Sequence, residues 1–250
     1  MRCPHRHFGS PDNAGQTLSQ DLTTQLNQLK TLDRRAALIV VDVQIGFNDP
    51  TWGTRNNQQA EACIALLLET WRKAAATVVH VHHRSADPSG SFQPGTRGSE
   101  PKPQAIPLYG ELVYYKQVNS AFIGTTLEAD LRKLGIQTLV IVGLTTNHCV
   151  STTVRMAGNL GFNTFVVADA TAAFDRAGAD GRVRPATEVH NAALGDLHLE
   201  FAEVVDTSSV IAALTQEEPA FVTSPARSAS SRDRECATDF NSRNLCDRSV

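Results

Sequence analysis

Short apolar runs rich in β-branched residues recur along this chain, and helical patterns separate them. The clearest run is Ala37-Leu38-Ile39-Val40-Val41, whose uninterrupted hydrophobicity is typical of a strand covered on both faces. Similar runs occupy 77–81, 112–115, 138–142, 165–168 and 202–205. Strands that alternate with helices form parallel sheets, because each connection returns across one face of the sheet. The sequence therefore predicts a three-layer α/β fold: a doubly wound, Rossmann-like, mostly parallel sheet with helices on both faces.

Amphipathic helical patterns fill the intervals between the predicted strands. Apolar residues recur at helical spacing over 58–75, 124–134, 149–160 and 187–197. Leucines with the same spacing over 18–29 predict a short helix ahead of the first strand. The connection 84–110 is rich in Ser, Pro and Gly and long for a compact domain. It is interpreted either as a lid over a substrate or as an ordinary crossover.

Polar segments flank the region that carries these patterns. Residues 1–14 are polar and interrupted by Pro and Gly, which predicts a flexible N-terminus. Residues 216–250 are rich in Ser, Arg and Asp and poor in large apolar groups, so they cannot bury enough surface to offset the entropy of ordering. The sequence therefore predicts one α/β domain over 15–215 and a disordered tail over 216–250.

Charge and composition argue against several classes of protein. A formal net charge of −3 gives no basic excess for binding nucleic acid or an anionic membrane. No apolar stretch is long enough to span a bilayer, and the N-terminal segment lacks the apolar core of a secretory signal. Five scattered cysteines, an odd number, fit a reducing compartment better than a disulfide framework. We therefore expect a cytoplasmic protein whose partner is a small-molecule substrate.

Reactive side chains stand where three of the predicted strands end. Asp42, Lys116 and Cys149 each follow one of these strands. Because the carboxyl ends of parallel strands share one edge of the sheet, the three side chains are expected to converge. Asp42 can accept the thiol proton, and Lys116 can stabilise the thiolate and hold Asp42 in place. The N-terminal end of the helix that follows also favours a thiolate at Cys149.

The sequence around these residues resembles the amidase branch of the isochorismatase-like cysteine hydrolases. The resemblance is carried by Val-Val-Asp-Val-Gln at Asp42, Lys-Gln-Val-Asn-Ser-Ala-Phe at Lys116 and Gly-Leu-Thr-Thr-Asn-His-Cys-Val at Cys149. It extends from about residue 36 to residue 207. It implies that Asp, Lys and Cys form a catalytic triad that hydrolyses small amides through an acyl-enzyme thioester.

The resemblance also implies structural details that the residues alone would not predict. One is a cis peptide bond without proline between Leu144 and Thr145. Another is an oxyanion hole made by the backbone N–H groups of Thr145 and Cys149. A third is a homo-oligomer, either a dimer or a tetramer.

The nucleophile distinguishes the branches of this family. Isochorismatases that hydrolyse a vinyl ether carry a small residue in its place, so Cys149 favours cleavage of a C–N bond in an amide, carbamoyl or lactam substrate. Two alternatives stay open. One is vinyl-ether hydrolysis with Asp42 as the acid, and the other is a catalytically silent binding protein with the same fold.

A metal site is not predicted. Nicotinamidases carry Asp-x-His and a further His after the second strand, whereas the matching stretch here begins His83-Arg84-Ser85. His80, His82 and His83 lie close in sequence, but alternation along a strand points the first two to one face and His83 to the other. We therefore expect neither a metal nor another cofactor.

Further side chains near the triad are candidates for binding the substrate. They are Phe47, Trp52, His83, Arg84, Asn119, Phe122 and His148. Their aromatic rings suit a planar amide, although core packing is the alternative for Phe47. Arg84 is a candidate clamp for a substrate carboxylate. His148 is expected at the rim of the pocket, because consecutive helical positions point about 100° apart.

Overall fold

A six-stranded parallel sheet forms the centre of the molecule, as the alternation of strands and helices predicted. The structure is a computed structural model that describes residues 32–33 and 35–215. Its strands are β1 (Ala37–Val41), β2 (Val78–His83), β3 (Leu112–Lys116), β4 (Thr138–Leu144), β5 (Asn163–Ala172), β6 (Arg176–Ala177), β7 (Val183–Arg184) and β8 (Glu203–Val205). The helices are α1 (Ala60–Lys73), α2 (Leu127–Lys133), α3 (Ser151–Asn159), α4 (Ala186–Leu197) and α5 (Thr207–Thr215). The predicted flexible N-terminus 1–14, helix 18–29 and tail 216–250 lie outside the described residues.

Most predicted elements are present, with shifted ends. Strands β2 and β5 run further than the patterns indicated, and α2 begins at Leu127 rather than at residue 124. Sequence patterns missed the hairpin of β6 and β7, which form a separate two-stranded sheet, and they missed α5. Strands of two residues are too short to show any periodicity, and α5 has only nine residues.

Alternation along β1 divides the core into two layers. Leu38 and Val40 pack with α1 and α5 on one face of the sheet. Ala37, Ile39 and Val41 pack with α2, α3 and α4 on the other face. All five residues of β1 are buried. The continuous apolar run that suggested a doubly covered strand is therefore confirmed, together with the three-layer architecture. Among the described residues, no helix is long and apolar enough to cross a membrane.

The order of strands fixes where a ligand can bind. The sheet runs β3-β2-β1-β4-β5-β8, so the chain winds outward from β1 to β3 and then returns to the other side of β1 at β4. A cleft forms at the carboxyl ends of strands where the winding changes direction. Here β1 and β4 approach closely, since a Cβ added to Gly143, which has φ +124°, would lie 1.9 Å from the Val41 carbonyl oxygen.

The connection between β2 and β3 is fixed to the body at several points, which favours a crossover over a mobile lid. The amide of the buried Gln44 side chain donates to the carbonyls of His83 and Ser99, each at 3.0 Å. The buried Lys102 ammonium donates to Glu61 of α1 at 2.5 Å. Glu61 is also paired with Arg55, so this carboxylate ties together three separate segments.

Two histidines of β2 are buried on the face away from the predicted triad. The rings of His80 and His82 stack at 6.2 Å, and Tyr115 covers His82 at 5.9 Å. Nε2 of His80 donates to the Glu111 carboxylate at 2.9 Å, and Nδ1 of His82 has no partner in the described part of the chain. Burial, followed by the proximity of His80, lowers the pKa of His82 to about 4.

The buried His82 should make the fold sensitive to acid. In the unfolded chain its pKa is near the ordinary value of 6.5, so unfolded molecules take up a proton that folded molecules exclude until about pH 4. The free energy of unfolding should therefore fall as the pH falls from about 6.5 to 4, by up to about 3 kcal/mol from this residue. Urea unfolding of the wild type and of His82→Phe at several pH values measures this, and the variant should lose less stability in acid. Equal losses in the two proteins would contradict the assignment.

Candidate active site

A buried ion pair occupies the carboxyl edge of the sheet. The ammonium of Lys116, at the end of β3, donates to Oδ2 of Asp42 at 2.5 Å. Both side chains are almost fully excluded from solvent. Lys116 belongs to the outermost strand and reaches past the end of β2 to the residue that follows β1. This contact gives the physical basis for the predicted convergence of Asp42 and Lys116.

The backbone holds Asp42 in an uncommon conformation. Its φ is +52°, in the left-handed region that Asp tolerates better than most residues. Its N–H donates to the Val81 carbonyl of β2 at 2.8 Å. Its Oδ1 atom is buried and accepts no hydrogen bond from any described residue. Oδ1 is therefore available as an acceptor for a proton that enters the site.

Burial dominates the electrostatics of Asp42. It raises the pKa of the carboxyl group, although the charge and hydrogen bond of Lys116 act in the opposite direction. The carboxylate form therefore depends on Lys116. A carboxyl group with a raised pKa can take up and release a proton near neutral pH more readily than an ordinary aspartate.

Cys149 lies in a π-helical turn between β4 and α3. This turn spans Thr146–Val150 and leads directly into the helix that begins at Ser151. The peptide bond between Leu144 and Thr145 is cis, which confirms that expectation. The N–H groups of His148 and Val150, on either side of the Cys149 amide, donate to the Thr145 carbonyl at 3.1 and 3.2 Å. The turn Thr146–Val150, called the nucleophile turn after the predicted role of Cys149, thus holds this residue at the N-terminal end of α3.

The surroundings of Cys149 favour the protonated thiol in the free protein. Burial, and then the negative charge of Asp42, raise the pKa of Cys149 to about 12, although Lys116 acts in the opposite direction. The resting group is therefore a thiol.

Two predicted binding residues contact the triad. The thiol of Cys149 donates to Oδ1 of the exposed Asn119 at 3.7 Å. His83, at the end of β2, places Nδ1 3.3 Å from the Lys116 ammonium. Burial, followed by the charge of Lys116, lowers the pKa of His83, so its imidazole is neutral and can accept this hydrogen bond. Alternation along β2 points His83 away from His80 and His82, as expected.

The same residues form the one cluster with the spacing of metal ligands in the described chain. A carboxylate oxygen of Asp42, a ring nitrogen of His83 and the Cys149 sulfur lie within 4.8 Å of one another. The Lys116 ammonium is in contact with the first two of these residues. A cation added there would be repelled by that charge, so the ligand set fits a proton-transfer site better than a metal.

A cavity of about 380 Å³ adjoins the nucleophile turn. It is lined by Thr51, Trp52, Thr145, Asn147, His148, Phe174, Asp175, Arg176 and Ala177. Trp52 and His148 therefore lie where substrate-binding residues were expected. Nδ1 of His148 is 3.0 Å from Oγ1 of Thr145, and burial, then Arg176, lowers the pKa of this histidine. Cys149 itself does not line the cavity, although Thr145, Asn147 and His148 of the same segment do.

Three other predicted binding residues, Phe47, Phe122 and Arg84, neither line this cavity nor form a side-chain hydrogen bond with the triad. Phe47 packs in an aromatic cluster with Trp52, Phe92 and Phe174, so core packing is its main role. Phe122 stacks on Phe162 at 6.0 Å in the core, not over the triad.

The guanidinium of Arg84 lies 3.4 Å from the centre of the Tyr115 ring. Because Tyr115 and Lys116 are consecutive in β3, they point to opposite faces, and Arg84 is therefore turned away from the site. This position, on the face of the sheet away from the triad, does not support the predicted role of Arg84 as a clamp for a substrate carboxylate.

Sequence reasoning also missed two residues that line the cavity. Phe174 and Arg176 follow the long strand β5 and reach the cavity only because the hairpin folds back. His190 of α4 contacts Thr146, the first residue of the nucleophile turn, with 2.8 Å between Nδ1 and Oγ1. Nε2 of His190 lies 3.4 Å from the Asn57 amide, which donates to two carbonyls of β5. These contacts link α4 to the turn that carries Cys149.

Comparison with known proteins shows which family this chain resembles. The isochorismatase domain family matches residues 36–209. The uncharacterized isochorismatase family protein YrdC of Bacillus subtilis is 46% identical over 180 residues, covering 72% of this chain and 96% of that protein. Nicotinamidase 3 of Arabidopsis thaliana is 29% identical over 184 residues, covering 68% and 84%. The crystal structure of a putative hydrolase of the isochorismatase family from Chromobacterium violaceum superposes with a TM-score of 0.72 at 42% identity, covering 73% and 95%.

The contact between Thr146 and His190 should support the reactivity of Cys149. Replacing Thr146 with Val removes the hydroxyl but preserves the shape, leaving a buried ring nitrogen unpaired at a cost of about 1–3 kcal/mol. We expect Thr146→Val to be less stable and to alter the rate at which iodoacetamide alkylates Cys149, measured by intact mass.

A matched control separates these two effects. Thr164 is also buried and donates one hydrogen bond, to the Phe162 carbonyl at 3.1 Å. Thr164→Val should lose stability without changing the alkylation rate. If both variants alter the rate equally, the contact with His190 has no special connection to the nucleophile.

Proposed function

Since the chain belongs to the isochorismatase family of hydrolases, we propose that it is a cysteine-dependent hydrolase that cleaves a C–N bond in a small amide, carbamoyl or lactam. The observation that carries this proposal is the buried cluster of Asp42, Lys116 and Cys149. A thiol, a carboxylate and an ammonium at this distance supply a nucleophile, a proton acceptor and a compensating charge. One relative is named as a nicotinamidase, which is an amidase.

The first half-reaction would form a thioester. Asp42 takes the proton from the Cys149 thiol, and the sulfur attacks the carbonyl carbon of the substrate. The backbone N–H groups of Thr145 and Cys149 stabilise the negative oxygen of the tetrahedral intermediate. The C–N bond then breaks, and the proton on Asp42 passes to the departing nitrogen, which leaves as ammonia or an amine.

The second half-reaction would regenerate the enzyme. Asp42 is again a carboxylate, and it removes a proton from a water molecule that attacks the thioester carbon. The C–S bond breaks, the acid product leaves, and the sulfur recovers the proton from Asp42. The thiol proton has left with the ammonia or amine and is replaced on the sulfur by a proton from water, so the net change is the addition of one water.

Lys116 would balance charge throughout this cycle. When the thiol proton moves to Asp42, the negative charge moves from the carboxylate to the sulfur. Lys116 bonds Asp42 directly, and it also lowers the pKa of Cys149. One fixed positive charge can therefore stabilise the negative charge on either the carboxylate or the sulfur, which lowers the free-energy cost of proton transfer in a buried site.

The raised pKa of Asp42 also supports a second candidate. A protonated Asp42 could donate to a vinyl ether carbon, as in the isochorismatase reaction, with Cys149 taking no part. The two candidates differ in their need for the sulfur.

Replacing the nucleophile separates these candidates. We expect Cys149→Ala to lose ammonia release from a pool of small amides, carbamoyl compounds and lactams by more than about 1,000-fold, because no covalent route remains. Intact mass should show an acyl adduct on the wild type and none on this variant. Cys63→Ala is the control, because Cys63 is the other cysteine in the described chain and lies partly buried beside Asp169. Full turnover of any substrate by Cys149→Ala would sink the covalent mechanism and favour acid catalysis by Asp42.

Turnover and thiol reactivity should respond in opposite directions to the loss of Asp42. Asp42→Asn removes the proton acceptor, so hydrolysis should fall by at least about 100-fold. It also removes a negative charge that raises the pKa of Cys149 while Lys116 remains. Alkylation by iodoacetamide near pH 8 should therefore become about 10-fold faster, because the thiolate fraction rises.

The pH dependence provides an internal check on this prediction. Wild-type alkylation should keep rising by about tenfold per pH unit through the alkaline range, since the thiol is protonated until about pH 12. A rate that levels off near neutral pH would mean that Cys149 is already a thiolate.

A further inference from the structure

The hairpin of β6 and β7 places two arginines directly opposite each other. Arg176 pairs with Arg184 across the two strands. Like charges in this arrangement are destabilising, and sequences that break such a rule often do so at functional sites. Arg184 is compensated by Asp180, at 3.3 Å. The guanidinium of Arg176 is exposed and has no ion pair or hydrogen bond with any described residue.

Arg176 faces the cavity beside the nucleophile turn. The cavity wall combines this cation with the rings of Trp52 and Phe174, whose centres are 5.6 Å apart. Thr145, whose N–H is a proposed oxyanion donor, lines the same cavity. One small molecule could therefore place a carbonyl oxygen at Thr145 and another group at Arg176.

The nearby acid does not neutralise Arg176. Asp175 also lines the cavity, but its Oδ1 accepts the N–H of Ala186 at 2.7 Å. Ala186 is the first residue of α4, so the positive end of that helix already balances this carboxylate. A second cavity also has Arg176 in its wall, and the two other arginines there, Arg155 and Arg184, are paired with Asp196 and Asp180. On the wall of the cavity beside the nucleophile turn, Arg176 is therefore the one positive charge without an ion pair among the described residues.

We propose that Arg176 binds a carboxylate of the substrate and that the enzyme selects small amides bearing one carboxylate over their neutral counterparts. This inference rests on the proposed hydrolase function and names its substrate class. A carboxylate matches one guanidinium in charge and in its two-pronged geometry. Phosphate esters, with up to two negative charges, commonly require several cationic or N–H donors, whereas the described wall of this cavity carries one Lys or Arg side chain, Arg176. The role that the sequence assigned to Arg84 thus belongs to Arg176.

Paired substrates test this selectivity. Each ω-amic acid from malonamate to glutaramate is compared with the diamide of the same length, which differs only in having an amide in place of the carboxylate. For the wild type, kcat/KM for ammonia release should be at least 10-fold higher for the best amic acid than for its diamide. In Arg176→Gln this ratio should fall to about 1, mainly through a higher KM for the amic acid. Arg176→Lys should retain part of the preference.

A matched control removes the effect of net charge. Arg182→Gln changes the same charge on the same hairpin, at a residue that does not line the cavity. It should leave the preference intact. If the wild type shows no preference, or if Arg176→Gln keeps it, the inference is overturned although the hydrolase function stands.

Binding without turnover distinguishes failure of the function from failure of the inference. Amic acids and simple monocarboxylates are tested for protection of Cys149 from iodoacetamide, followed by intact mass. The carboxylates should protect Cys149 in the wild type and in Arg182→Gln, and protection should be at least 10-fold weaker in Arg176→Gln. This result supports the carboxylate site even if no amide is hydrolysed. Equal protection of all three proteins, or protection of none, overturns it.

Discussion

The buried contact between Asp42 and Lys116 is the interaction on which the site depends. Moving each of these two charges out of water costs roughly several kcal/mol, and their close pairing offsets part of that cost. The pair also crosses the sheet, because Lys116 extends from the outermost strand over the end of β2 to the residue after β1. His83 occupies the intervening position and accepts from the same ammonium. Three strand ends are thus held at fixed spacing by one cation.

The reactivity of Cys149 follows from this arrangement rather than from its position on a helix. Burial, followed by the negative charge of Asp42, raises the pKa of the thiol to about 12 although Lys116 lowers it. The proposed reaction therefore begins with transfer of a proton between two groups whose pKa values are both raised by burial. Their titrations are coupled, so a measured pH profile would belong to the pair. A thiol that is neutral at rest is also less exposed to oxidation than a permanent thiolate.

Strand ends were predictable from the sequence, whereas the walls of the cavity were not. The apolar runs before Asp42, Lys116 and Cys149 predicted the layered architecture. Because parallel strands end at a common edge, these runs also predicted that the three side chains lie close together. Arg84 was misplaced because its direction depends on packing against Tyr115, which no local pattern encodes. Arg176 was missed because it is brought to the cavity by a hairpin with strands of only two residues. The direction in which the pKa of Cys149 shifts could not be read from the sequence, because it depends on how fully the folded chain buries the sulfur.

The position of Lys116 on an edge strand has a consequence for the order in which the protein becomes active. Edge strands have neighbours on one side only and are among the elements that open first in local fluctuations. Here β3 pairs with β2 alone, yet it supplies the charge that makes the Asp42 carboxylate tenable. A chain with β1, β4 and the nucleophile turn in place but β3 undocked would hold a protonated Asp42 and an inert thiol. Chemical competence would therefore require β3 to be docked, so that molecules in which this strand has frayed are silent rather than indiscriminately reactive.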